Sequence, residues 1–158
     1  APYVLERFPR ARFLIMGEGE LRPLLQRKIQ ELNLKGKVVL TGHISNIGEA
    51  YASMDLFALS SHLEGLCTAV VDALLMGVPV VATRTGGVPD VVLDGECGLL
   101  AQPRNPKALG ECIVRLLSDK DMQSRFIERG KARVQELFTA EKMIQGTIKV
   151  YEKLLRQG

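Results

Sequence analysis

Short apolar runs alternate with helical patterns through the first hundred residues, and this alternation constrains the fold more than any other feature. Residues 12–16 (RFLIM) end at Gly17, and 37–41 (KVVLT) end at Gly42. Three further strand candidates follow at 56–59, 78–82 and 98–101. Between the first two runs, apolar residues at 21, 24, 25, 29 and 32 trace a helical stripe over 20–32. A short helix is predicted at 46–53 and a buried one at 68–76. Strands separated by single helices give the α/β class: a Rossmann-like open parallel sheet of about five strands with helices on both faces. The runs are continuously hydrophobic, as in strands covered on both sides.

After Ala101 the pattern changes to three consecutive helices, at 106–118, 119–137 and 139–155, which form a helical C-terminal tail. In the last, Ile144, Ile148, Tyr151 and Leu155 make one stripe, with Thr139 placed as N-cap. No repeat, low-complexity tract or Pro/Ser-rich linker interrupts the chain, so residues 1–158 read as one domain. The composition agrees: 46% hydrophobic and 25% charged over 158 residues is ordinary for a globular core. A net charge of +3 falls short of a nucleic-acid binder's clustered excess, so no nucleic-acid partner is expected. Three cysteines without paired spacing point to a reducing, cytoplasmic setting. The longest apolar stretch, 66–82, is broken by Asp72 and Pro79, which excludes a membrane-spanning helix there. No leader pattern is recognisable at the start. The chain opens on Ala1 within a helix-like segment, and it is expected to be a piece of something larger.

In open α/β sheets ligands gather beyond the carboxyl ends of the strands, so the loops there carry the functional candidates. Gly17-Glu18-Gly19 follows the first run, but Arg22 stands where a dinucleotide fingerprint has its third glycine. The acidic ribose partner of such a fingerprint is also missing around 39–43. This turn either lets a nucleotide phosphate or sugar come close, or is simply a tight βα turn. The loop Ser60-Ser61-His62-Leu63-Glu64-Gly65-Leu66-Cys67 leads into the helix at 68–76. A helix N-terminus presents free N–H groups and a positive dipole end to phosphates or sugar hydroxyls. Thr68, Asp72 and Met76 share one face of that helix by their spacing. Because its other positions are apolar, Asp72 is expected either to meet a partner in a cavity or to lie on an exposed stripe. Glu64 either offers a second carboxylate at the entrance or caps the helix.

The loop Arg84-Thr85-Gly86-Gly87-Val88-Pro89-Asp90 reads as flexible glycines that then start a helix. Arg84 either meets a phosphate or is solvated. His43 and His62 either line the cleft or pack at strand ends. The histidines and cysteines lack metal-ligand spacing, and Asp119-Lys120-Asp121 is better explained as helix capping. The Gly-x-Ser-x-Gly elbow of Ser-His-Asp hydrolases is absent.

The segment EGLCTAVVDALLMGVPVVATRTGGVPDVVLDGECGLL (64–100) resembles the C-terminal, donor-binding half of the retaining glycosyltransferases of family 4, which have the GT-B fold. RFLIMGEGELRPLL, VVLTGHI and FTAEKMIQGTIKVYEKLL extend the likeness over nearly the whole chain. The resemblance implies that Glu64 holds donor-sugar hydroxyls and acts as the catalytic carboxylate. It implies that Gly65, Leu66, Cys67 and Thr68 present backbone amides to the sugar and diphosphate. Asp72 takes the place of the family's second Glu, one methylene shorter, facing the ribose. Gly17 matches the first glycine-rich turn, and His43 and Ile44 match the stretch flanking the nucleobase. Arg84, Gly86 and Gly87 match the loop closing on the sugar end.

By the same likeness, a strand and a loop with Arg and Lys for the diphosphate belong before Ala1. The acceptor-binding N-terminal domain is likewise expected outside this chain, which would then be N-terminally truncated. The parent is expected to move a sugar from a nucleoside diphosphate donor to an acceptor hydroxyl with retention, needing no metal and no other cofactor. The resemblance also allows the parent to associate peripherally with the cytoplasmic membrane face through that domain. The chain alone is expected to be inactive. The reading from another class is a non-catalytic Rossmann-like module that binds a nucleotide or sugar. A phospho-receiver domain fits poorly, because Asp55 lies at the amino end of its run.

Overall fold

The computed structural model describes residues 1–156. Five strands alternate with helices: β1 (Phe13–Met16), β2 (Val38–Gly42), β3 (Phe57–Leu59), β4 (Val80–Thr83) and β5 (Leu99–Ala101). The helices are α1 (Pro2–Arg7), α2 (Arg22–Glu31), α3 (Ile47–Ala52), α4 (Thr68–Leu75), α5 (Val88–Val91), α6 (Pro106–Ser118), α7 (Lys120–Leu137) and α8 (Ala140–Leu155). Every strand pairing is parallel. The α/β class and the helical tail are therefore as the sequence predicts.

Local chemistry explains most boundaries. The side chains of Asn46, Asn105, Asp119 and Thr139 each accept a hydrogen bond from the N–H three residues on, capping α3, α6, α7 and α8. Pro106 stands at the first turn of α6, where a missing N–H costs nothing. Pro79 delays β4, but its carbonyl still accepts from Phe57 N at 2.9 Å and starts the β3–β4 pairing.

Two sequence expectations need correction. The strands form two hydrogen-bonded sheets, β1–β2 and β3–β4–β5, instead of one. Strand number is a local property, but which edges pair is decided by long-range packing. Coverage of the strands also divides: β4 and β5 are buried at every position, whereas Leu14, Ile15 and Val39 are exposed. The helix between β1 and β2 does not cover them, because α2 has no buried residue and leaves Leu21 and Leu24 in solvent. The Ile144, Ile148, Tyr151, Leu155 stripe of α8 is exposed as well.

The main core lies around the second sheet. Val70, Ala73 and Leu74 of α4 pack with Val80 and Ala82 of β4, Val88 and Val91 of α5, and Val134 of α7. A second cluster, Val81, Leu99, Leu116, Met122 and Phe126, fills the opposite face of the sheet beneath α6 and α7. Strands three or four residues long are thus fixed on both faces by apolar burial. Gly110 allows α1 to lie close on α6, since a Cβ there would approach the Tyr3 side chain to 2.8 Å.

Candidate functional site

The candidates separate into two groups, one at the carboxyl ends of each sheet. At the first sheet, Gly17 takes φ +103°, a left-handed conformation suited to glycine, and its N–H donates to Gly42 O at 2.9 Å. Arg22 closes this turn. Its guanidinium pairs with Glu18 at 3.0 Å and reaches the Leu40 carbonyl at 3.4 Å. Gly42, at φ +73°, has the Glu18 carboxylate where a Cβ would stand. His43 is exposed and Ile44 half-buried just beyond β2.

At the second sheet the loop after β3 and the loop after β4 are laced together. Thr83 Oγ1 donates to the Ser61 carbonyl, and Thr85 Oγ1 donates to the His62 carbonyl at 3.0 Å. Gly87 N–H donates to Gly65 O at 3.2 Å. Gly86 sits at φ +52°, so close beneath Glu64 that a Cβ would fall 1.7 Å from its carbonyl oxygen. The glycines described from sequence as a flexible loop instead permit close backbone approach, and hydrogen bonds hold the loop. Glu64 is half-buried there, three residues before Cys67.

Cys67 is the N-cap of α4, and its side chain makes no capping hydrogen bond. The first-turn N–H groups at Thr68 therefore remain free of a side-chain cap, with Gly65 and Leu66 exposed beside them. Such a terminus, next to a carboxylate, accepts an anion at its amides and hydroxyls at its acid.

Asp72 lies on the exposed face of α4 with Thr68 and Met76. The helix is not apolar-buried all round: Leu75 and Met76 are also in solvent, because only the opposite face meets β4 and α7. Asp72 has no ion pair among the described residues. Its charge is felt by Tyr51, whose hydroxyl donates to Ala69 O at 3.0 Å. Burial, then Asp72, then Cys67 push the Tyr51 phenol above its ordinary range. Arg84 is engaged rather than free. It pairs with Asp94 at 2.6 Å, and the other Asp94 oxygen accepts from Leu100 N at 2.9 Å.

Three residues that hold this second group were missed from sequence. Thr83 follows the predicted strand and Thr85 lies in the glycine loop, neither singled out, although a polar Thr83 closing an otherwise apolar run was a usable signal. Arg133 of α7 gave no signal. Its guanidinium donates to Val91 O at 3.0 Å and Asp90 O at 2.6 Å, fixing the end of α5 behind the glycine loop.

Parallel strands, glycine turns at their carboxyl ends and a carboxylate shortly before a helix make a Rossmann-like α/β domain with its ligand-facing loops at the strand ends. The family model described as glycosyl transferases group 1 matches residues 1–133, and the chain belongs to that family. It is 28% identical over 146 residues to the N-acetyl-alpha-D-glucosaminyl L-malate synthase of Bacillus anthracis, covering 92% of this chain and 38% of that protein. Its fold is similar to that of HepE from Anabaena, solved in complex with UDP and glucose: TM-score 0.84, 22% identity, 96% of this chain and 44% of that one. It is also similar to the C-terminal domain of the glycosyl transferase group 1 protein LpcC from Francisella tularensis. There the TM-score is 0.77 at 22% identity, over 87% of this chain and 74% of that one. The chain spans well under half the length of the curated relatives it matches.

Proposed function

We propose that this chain is the donor-binding half of an enzyme that transfers a sugar from a nucleoside diphosphate sugar to an acceptor hydroxyl, with retention at the anomeric carbon. One observation carries the reading: the main chain of Glu64 is seated on Gly86 of the β4 loop, three residues before Cys67, the N-cap of α4, whose side chain makes no capping hydrogen bond. Support for the donor class comes from the fold shared with HepE, a protein solved with UDP and glucose.

In this reading Glu64 accepts hydrogen bonds from donor-sugar hydroxyls and orients the anomeric carbon. The amides of Gly65 to Thr68 face the diphosphate, whose negative charge grows as the glycosidic bond breaks. Preorganised amides and the α4 dipole stabilise that charge without reorganising. Asp72 serves the ribose, His43 and Ile44 flank the base, and Gly17 lets the donor approach β1. Arg84, tied to Asp94, shapes the sugar-end loop with Gly86 and Gly87. Transfer proceeds without a tightly held metal, the acceptor is bound by a separate N-terminal domain, and this half alone is silent. We assign the parent to the cytoplasm or its membrane face.

The test is a full-length parent incubated with labelled nucleoside diphosphate sugars. Transfer or slow donor hydrolysis is the expected outcome. No turnover with any donor, together with nucleotide binding, would leave a non-catalytic binding module.

A further inference from the structure

Beyond the carboxyl ends of β3 and β4 the two chains stay side by side although their ladder has ended. The register pairs Phe57 with Val80 and Leu59 with Ala82. Past that point the contacts keep nearly the same offset: 22 residues for Thr83 with Ser61 and 23 for Thr85 with His62. Gly86 beneath Glu64 and Gly87 against Gly65 continue it. Backbone ladder bonds give way to threonine hydroxyls first, then to a close contact at Gly86 and one backbone bond from Gly87 N–H to Gly65 O.

We propose that Thr83 and Thr85 are positioning residues for Glu64, acting through the loop that carries it. Thr83 is 3% exposed and its hydroxyl binds the Ser61 carbonyl, so a valine of the same shape leaves that carbonyl without its partner. Thr85 donates to the carbonyl of His62, two residues before Glu64, at an exposed position where the bond restrains the loop without being sealed from water. Ser61 to Leu66 otherwise contributes little to either core cluster: Leu63 and Leu66 are exposed, and Cys67 is the first residue of the segment to enter the core. The two hydroxyls and the two glycines therefore supply the restraint that apolar packing does not. The loop's order is set from β4, and Glu64 stands where it does because of residues that need not touch the donor.

The inference rests on the glycosyltransferase reading for its kinetic arm only. In the full-length parent, T83V and T85V are each expected to lower kcat about tenfold through misplacement of Glu64. T83S and T85S keep the hydroxyl and are expected to restore turnover. F126L, a cavity in the other core cluster, controls for lost stability: it lowers Tm but leaves kcat unchanged below the transition. Amide hydrogen exchange read on peptides covering 60–68 is expected to accelerate in T83V and T85V and not in F126L. Unchanged exchange in both valine variants overturns the assignment, and so do serine variants as slow as the valine ones. A wild-type parent that turns over no nucleoside diphosphate sugar removes the enzymatic reading alone, and the exchange result still decides the role of the two threonines.

Discussion

An added Cβ on Gly86 would lie 1.7 Å from the carbonyl oxygen of Glu64, at a φ of +52° that an L side chain already resists. The carboxylate at the α4 entrance thus has its main chain seated on a residue with no side chain. Gly86→Ala must displace backbone, not a flexible side chain. Transfer by the parent is expected to fall about a hundredfold, since a shift near 1 Å at a positioned group costs that much. Donor turnover alongside a melting curve checks this, and near-normal turnover in a folded G86A protein would refute it.

Arg133 holds α5 from behind by two hydrogen bonds and lies 5.9 Å from the Phe138 ring centroid. Its guanidinium meets two carbonyls at once, a geometry lysine cannot reproduce. Arg133→Ala is expected to cost about 2 kcal/mol in urea unfolding, because charged hydrogen bonds to one half-buried and one exposed carbonyl are lost. Arg133→Lys should recover less than half of it. Equal stability of the lysine variant and wild type would mean that the paired geometry contributes nothing.

The elements were largely legible in the sequence because capping and periodicity are local. Asn105 with Pro106 marks the start of α6, and Thr139 that of α8, from side-chain chemistry alone. What could not be read was long-range. Leu14 and Ile15 look identical to the buried residues of β4 in composition, and only the absence of a covering layer leaves them in solvent. Asp72 was ambiguous for the same reason: its exposure follows from which face of α4 meets β4 and α7. At the site, Glu64 and the glycines stand out by their place after strand ends, family likeness gives them roles, and the structure brings them together. The threonines that hold them, one closing β4 and one in the glycine loop, do not stand out in this way.

Alkaline stability follows from two buried acids, Tyr51 and Cys97, and a half-buried one, Cys112. Burial raises the Cys97 and Cys112 thiols above the ordinary 9.0 and, with Asp72 and Cys67, the Tyr51 phenol above 10.0. A folded-state value above the unfolded one means that folding favours the protonated form. That contribution is complete below pH 9 and is lost as pH rises through the folded values. Unfolding free energy from urea titrations is therefore expected to fall steadily from about pH 9 upward, and Tyr51→Phe should make the decline shallower above about pH 10. The same variant at neutral pH should lose about 1 kcal/mol with its bond to Ala69 O. A decline identical to wild type in Y51F would contradict the assignment.

The most direct measurement is sugar transfer by the full-length parent carrying Glu64→Gln, with melting temperature followed in parallel. Glutamine keeps the size and the backbone seat on Gly86 but removes the charge that accepts from donor hydroxyls. The predicted result is wild-type transfer from a nucleoside diphosphate sugar and near-complete loss of it in E64Q, with melting temperature unchanged. Undiminished transfer by E64Q, or unfolding of the variant in place of inactivity, would contradict the role given to Glu64 and the donor site built around it.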